Sequence, residues 1–388
     1  MSPFLVRWPP KRVLPATDVV FSAGPTAGPG PHLAEVATPT GAPLPPGIDD
    51  PSGPGVGTPK PDHIWRQALR MPRVWLGGGI LLAIVASCLL TGPWTLGFFE
   101  GSSLFYDRPF SVRSNAAPLA EAAEGGSGFV QDLDRPNVLV GLFGYDVERR
   151  SLLSRVLLGG VVSLGVGLAA ATISVVLGVG VGLIAGYAGG RTDQVLMRIV
   201  DVMYGLPYVL LVILFKVGLE PPLERFFEAA ALFDSPKSAA SLSVMFVAIG
   251  LVSWLTMARV VRGQVLSLRD QPFIEAARAA GVKPRRIFLH HMLPNLVGPI
   301  LVYATLTVPQ AILQESFLSF LGIGVQPPLP SWGSLAADGL EAAINPIRSY
   351  WWQLLFPCLL LAVTLLSLNF LGDGLRDLFD PKRDTAKL

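Results

Sequence analysis

Six apolar runs, each near twenty residues or longer, constrain this chain more than any other feature. A bilayer-spanning helix needs about 20 apolar residues. Runs of that kind lie at Val74 to Phe99, Val156 to Gly186, Leu196 to Gly218, Leu242 to Val261, Leu296 to Leu321 and Trp352 to Leu371. Only helices and closed barrels satisfy every backbone group within lipid. These runs are too long for barrel strands and lack the two-residue alternation such strands carry. Only 15% of the 388 residues are charged, against roughly 25% in soluble domains. The expected fold is all-α: a polytopic membrane bundle of about six transmembrane helices.

The Lys/Arg distribution sets the expected orientation. Arg262, Arg269, Arg278, Lys283, Arg285 and Arg286 crowd the loop between the fourth and fifth runs. Arg66, Arg70 and Arg73 precede the first run, and Arg376, Lys382, Arg383 and Lys387 follow the last. The connections after the third and fifth runs carry few bases, Arg225 and Lys237 in one and Arg348 in the other. Both termini are thus expected in the cytoplasm, in a multi-pass protein of the cell (inner) membrane. Residues 1–62 are rich in Pro and Gly, cannot bury enough apolar surface to fold, and read as a disordered cytoplasmic tail. Residues 63–99 read as a juxtamembrane segment and first span, and 100–154 as an external loop with an interfacial segment. Residues 155–373 read as the core transmembrane domain, and 374–388 as a cytoplasmic C-terminal tail.

Little here suggests chemistry. Cys88 and Cys358 lie inside apolar runs and read as small apolar side chains. His290 and His291 are adjacent, so they do not share a helix face, and no metal site is expected. A net charge of +2 gives no global field for nucleic acid. No phosphate-binding GxxxxGK[ST] loop and no Ser-His-Asp or metal-ligand constellation appears, so no catalytic residue is expected. Within the second run, Gly178, Gly182 and Gly186 recur every four positions, as do Gly159, Ser163, Gly167 and Ala171. Small residues so spaced let helices approach closely. Pro207, Pro299, Pro309 and Pro357 are expected to kink or break their helices.

Ionisable groups at membrane depth are costly and often functional. Glu315, with Gln310 and Gln314, is read either as lining a pathway or gate, or as an interfacial carboxylate with its head in water. Lys216 is expected to snorkel outward. Asp201 and Arg198, one turn apart, are expected to pair at the surface.

The basic loop from Asp270 to Asn295 reads DQPFIEAARAAGVKPRRIFLHHMLPN. Asp270 or Gln271 can cap a helix, Pro272 suits its first position, and Gly281 can end it in the left-handed conformation. Pro284 then starts a second short helix. Glu275, Ala276, Ala277, Gly281, Leu293 and Pro294 match in type and spacing the EAA loop of ABC importer permeases. The stretch His291-Met292-Leu293-Pro294-Asn295 resembles the peptide and nickel branch. So do Ser319 to Pro328 with Ser331-Trp332-Gly333, Asn369 to Asp377 with Asp380-Pro381, and Asp201 followed by Pro207. The stretch Gly144 to Arg155 keeps Asp146, Arg150, Ser154 and Arg155 of that branch. It places Arg149 where the pattern has glycine and Ser151 where it has an acid.

The resemblance spans about residues 70–385. It implies a type I (MetI-like) ABC importer permease of the kind found as the second permease of dipeptide and oligopeptide importers. It also implies a homologous second permease as heterodimer partner, two ABC ATPase subunits or domains, and an external solute-binding protein. The six matched residues would couple to the ATPase, which hydrolyses ATP; this chain would bind no cofactor. Nickel or another small solute is the alternative cargo. Rival classes are an ion-coupled secondary transporter, which would show inverted repeats and midplane ion sites, and a membrane scaffold.

Overall fold

The computed structural model describes residues 71–96, 98, 105–110, 115–119, 141–231 and 235–379. The Pro/Gly-rich segment 1–62, residues 120–140 of the external loop, and residues 380–388 lie outside the described residues. All described elements belong to one compact unit, Trp65–Leu388.

The described chain is helical. The elements are α1 (Pro72–Thr95), α2 (Leu152–Ala188), α3 (Gly190–Tyr204), α4 (Tyr208–Ala230), α5 (Pro236–Arg269), α6 (Pro272–Ala279), α7 (Pro284–Ile287), a π-turn (Phe288–Met292), α8 (Leu293–Phe320), α9 (Trp332–Ala343) and α10 (Trp352–Phe379). Five helices are individually long and apolar enough to cross a membrane, and α3 with α4 form a sixth candidate bent by 94°.

The long α2 is the spine of the bundle, and its glycines explain why. A Cβ at Gly178 would lie 2.5 Å from Met257 Cβ, and at Gly182 2.6 Å from the Ala258 carbonyl. At Gly186 it would meet Val265 Cβ at 2.7 Å. The four-residue stripe is therefore the face on which α5 lies in backbone contact. One turn of the other stripe serves α8, where a Cβ at Gly167 would meet Ile312 Cγ1 at 2.5 Å. Between these helices sits a core of Val166, Ala170, Val212, Met245, Ile249 and Leu318.

The third apolar run does not form one straight helix. It breaks across Gly205-Leu206-Pro207, with Gly205 capping α3 and Pro207 at the N-cap of α4. Pro207 forbids a continuous helical hydrogen-bond ladder, and the residue before it is pushed from the helical region. Helix α4 also runs past its expected end at Gly218, through Pro221 and Pro222 to Ala230. By contrast Pro299, Pro309 and Pro357 sit inside continuous helices, so of the four expected breakers only Pro207 ends its helix.

Helix α9 is not among the elements expected from the sequence. Ser331 and Ser334 form a reciprocal capping box at its start, a local signal of the kind that marks helix N-termini. Trp332 is fully buried in a cluster with Ile84, Cys88, Val156 and Trp352, and its indole N–H donates to the Val156 carbonyl at 3.0 Å.

Candidate functional site

The basic loop folds as a hairpin at one end of the bundle. In α6 Pro272 occupies the first turn, and Gln271 is the N-cap without a side-chain cap bond. Gly281 has φ +74°. Its N–H donates to the Arg278 carbonyl at 3.0 Å, and the Val282 N–H reaches back to the Ala277 carbonyl at 3.1 Å. These two bonds make a Schellman ending, which needs a residue without Cβ strain at the left-handed position. Ile274 is fully buried and anchors the hairpin to Val261 and Val265 of α5, Leu183 of α2 and Leu296 of α8. Arg278 Nη2 also donates to the Arg269 carbonyl at 3.3 Å, tying the hairpin to the end of α5. The opposite face, with Phe273, Glu275, Ala276, Ala280 and Gly281, is exposed. Of the expected coupling residues, Glu275, Ala276 and Gly281 thus share an outward face, while Ala277 and Leu293 are half-buried on the bundle side and Pro294 is exposed beyond the π-turn. The second short helix is not separate: α7 passes through the π-turn into α8, so Pro294 lies within one continuous rod.

Where α3 and α4 break, a cavity of about 480 Å³ opens between them and α5 and α8. Irregular backbone at membrane depth is tolerated where it lines such a space. The wall is formed by Tyr204, Tyr208, Ser253, Thr256, Tyr303, Thr307, Gln310 and Gln314 among apolar residues, with no ionised side chain among these described residues. Tyr208 donates from its hydroxyl to the Gln314 carbonyl at 3.2 Å. The Gln314 Oε1 is buried without a hydrogen-bond partner. Gln310 and Gln314 therefore come together on one cavity, as a pathway reading requires.

Glu315 does neither of the things expected of it. Its exposure is 0%, so the carboxylate does not have its head in water, and it is not among the residues that line the cavity. It accepts hydrogen bonds from Ser163 Oγ at 2.9 Å, Ser319 Oγ at 2.7 Å and Ser316 Oγ at 3.3 Å. Two of those serines are themselves acceptors, Ser163 from the Trp332 N–H at 3.2 Å and Ser319 from the Val325 N–H at 3.2 Å. The one carboxylate thus joins α8 to α2, to the start of α9 and to the loop between α8 and α9. Burial on this scale needs such a complete set of donors.

The same loop explains Lys216. The ammonium does not reach for water; it donates to the carbonyls of Ile323 at 2.5 Å and Gly324 at 2.6 Å, with Glu220 at 3.8 Å. Ser241 donates to the Gly324 carbonyl at 3.3 Å and Ser238 to that of Pro327 at 3.0 Å. The signature stretch Ser319 to Pro328 is therefore a turn fastened by side chains of α4 and α5. Asp201 is also paired otherwise than expected: its partner is Arg259 of α5 at 2.8 Å, not Arg198.

Before α2 a charged knot closes the same end of the bundle. Asp146 Oδ2 accepts from Arg150 Nε at 2.9 Å and Arg155 Nη1 at 2.7 Å, and Arg150 also reaches Asp107 at 2.9 Å and Glu148. Nearby Asp338 is held above the ordinary carboxylate range by burial, which Arg155 opposes. Ser151 is the N-cap of α2, so the replacement of an acid there keeps a capping oxygen. Arg149 has φ +65°, a conformation that a Cβ penalises by roughly 1–2 kcal/mol. Arg149→Gly is accordingly expected to leave the knot intact and shift stability by less than about 1 kcal/mol in either direction, because glycine's greater unfolded-state freedom offsets the relieved strain. A thermal unfolding comparison reads this; a loss of several kcal/mol would show that the Arg149 side chain itself holds the turn.

Residues 178–385 match the family of binding-protein-dependent transport system inner membrane components. The oligopeptide transport system permease protein OppC of Haemophilus influenzae is 39% identical over 304 residues, covering 78% of this chain and 83% of that protein. The dipeptide transport system permease protein DppC of Bacillus subtilis is 43% identical over 240 residues, 62% of this chain and 68% of that protein. OppC of Escherichia coli is 47% identical over 241 residues, 62% and 72% respectively. All three are transport permeases rather than enzymes. The matched region contains the hairpin, the whole cavity wall and the fastened turn, and the chain belongs to the binding-protein-dependent transport system inner membrane component family.

Proposed function

We propose that the chain is one permease subunit of an ATP-binding-cassette importer for di- and oligopeptides. It pairs with a second, homologous permease, two ATPase subunits and an external binding protein. The hairpin faces the cytoplasm, as the Lys/Arg distribution supports, and its exposed face docks into an ATPase groove. The cavity at the α3–α4 break is this chain's share of the pathway.

The observation that carries the substrate reading is the chemistry of the cavity wall. Hydroxyls and amides can meet peptide N–H and C=O groups whatever the side chains are. Among the described residues the wall has no carboxylate, imidazole or thiolate of the kind that would hold a nickel ion. The relatives named for oligopeptide and dipeptide transport agree with it.

The test is uptake of a labelled tripeptide by the complex reconstituted in liposomes. Uptake is expected to require ATP and to be indifferent to an imposed ion gradient. Gln314→Leu is expected to raise the KM for uptake about 2- to 10-fold, the loss of one hydrogen bond, with complex yield preserved. Gradient-driven uptake without ATP would replace this reading with a secondary transporter, and transport of nickel but not peptide would replace the cargo.

A further inference from the structure

Helix α3 is joined to the bundle in an unusual way. Its only buried residue is Val200, so little apolar packing holds it. It is held instead by two ion pairs, both to α5. Arg262 grips Asp193 with two bonds, Nε to Oδ1 at 2.5 Å and Nη2 to Oδ2 at 2.6 Å. Arg259 reaches Asp201 at 2.8 Å and lays its guanidinium 4.1 Å from the centre of the Tyr204 ring. A forked guanidinium–carboxylate contact fixes direction as well as distance. The two arginines are one turn apart on α5, while their acids lie about two turns apart on α3. The pair of contacts therefore fixes the position of α3 along α5 at two points rather than one.

What lies at each end of this connection gives it a use. On one side, α5 is a helix of 34 residues whose last turns are fastened to the hairpin through Ile274 and through Arg278. On the other side, α3 ends at Tyr204, which lines the cavity, directly before the break at Gly205-Leu206-Pro207. Few packed side chains resist a swing of α3 about that break, so its position follows whatever its ion pairs are attached to.

We infer that Asp193–Arg262 and Asp201–Arg259 are positioning contacts that make α3 follow α5, so that displacement of the hairpin changes the cavity wall. This rests on the hairpin being the ATPase dock. Both pairs are partly exposed on this chain, with side-chain exposures of 33% and 15% for Arg262 and Asp193, and 38% and 58% for Arg259 and Asp201. Pairs so placed add little to folding stability, so their loss acts on transmission before it acts on assembly. Double substitution distinguishes such coupling from mere adjacency.

The experiment uses the full complex in liposomes with the variants Asp193→Asn, Arg262→Gln, Arg262→Lys and the exchange Asp193→Arg with Arg262→Asp. Association with the ATPase subunits, stimulated ATP hydrolysis and tripeptide uptake are measured together. The single neutral variants are expected to bind and hydrolyse within about twofold of the parent, while uptake per ATP falls about three- to fivefold, the most that a partly exposed pair can transmit. Arg262→Lys, which keeps charge but loses the fork, is expected to fall between. The exchange is expected to recover at least about half of the parent's uptake per ATP. Unchanged uptake per ATP in the neutral variants, or no recovery in the exchange, overturns the inference. Failure of the neutral variants to bind the ATPase also overturns it, because the pairs would then serve folding. If the parent chain itself binds no ATPase, it is the proposed function that fails.

Discussion

Glu315→Ala is expected to lower the thermal midpoint of the detergent-extracted protein by roughly 5–10 °C, corresponding to about 3–5 kcal/mol. The substitution leaves the hydroxyls of Ser163, Ser316 and Ser319 without their common acceptor. A buried donor left unsatisfied costs about 1–3 kcal/mol, and a void replaces the removed carboxylate. Two of these serines relay backbone N–H groups, from Trp332 and Val325, so the damage spreads to the start of α9 and to the fastened turn. Glu315→Gln keeps the shape but aims a donor at hydroxyls that need an acceptor, and is expected to cost about 1–3 kcal/mol. Complex yield should therefore fall before transport per complex does. That reverses the order expected of a pathway carboxylate. Combining Glu315→Gln with Ser163→Ala should cost less than the sum of the two, since one interaction is removed twice. A normal melting midpoint for Glu315→Ala, with reduced uptake per complex, would return Glu315 to the pathway.

Gly281→Val and Glu275→Lys are expected to abolish productive ATPase association while leaving membrane insertion intact. Apart from its chain neighbours, no described residue comes within 4 Å of a Cβ added at Gly281, so the cost is not a clash. It is the left-handed backbone at φ +74°, which a Cβ penalises by roughly 1–2 kcal/mol and a β-branched side chain by more. The cheapest relief is to open the Schellman ending, which rotates α6 away from α7 and reshapes the exposed face. Glu275 lies in the first turn of α6, where a carboxylate complements the helix dipole and a lysine opposes it. The charge presented to a docking groove also changes sign. Pull-down of the ATPase subunits and stimulated hydrolysis in the reconstituted complex measure the outcome. Wild-type association and stimulation in both variants would remove the hairpin from coupling. Ile274→Ala provides a contrast, because Ile274 faces the bundle; it should destabilise the hairpin's attachment by about 2–5 kcal/mol.

Several features were legible because their causes are local. Twenty-residue apolar runs announce spans whatever they pack against, since lipid itself selects them. The ending at Gly281 could be anticipated because only nearby residues decide a Schellman turn. Glycines at four-residue spacing in α2 mark a close-approach face without revealing that α5 occupies it. Even the unexpected α9 carried a local sign, in the paired serines at positions 331 and 334.

The failures share the opposite property. Asp201 and Arg198 are one turn apart, and sequence spacing alone favours their pairing; the actual partner, Arg259, is 58 residues away and comes within reach only where α5 crosses α3. Lys216 near a helix end reads as a snorkelling side chain until the carbonyls of Ile323 and Gly324, more than a hundred residues on, are folded over it. Glu315 stands alone as a charge in an apolar run, and nothing in the run reveals that Ser163, 152 residues earlier, supplies a donor.

By itself, then, the sequence determined the helical class, the candidate spans and the hairpin. These stem from hydrophobicity, backbone propensity and spacing within a turn or two, which are properties of short segments. Only the tertiary structure decided which polar side chains at membrane depth meet each other, that the third span bends by 94° around a cavity, and that Glu315 is buried structure while Gln310 and Gln314 line open space. Those outcomes depend on long-range contacts, because in a medium without water each polar group must find its partner wherever the packing of distant helices delivers one.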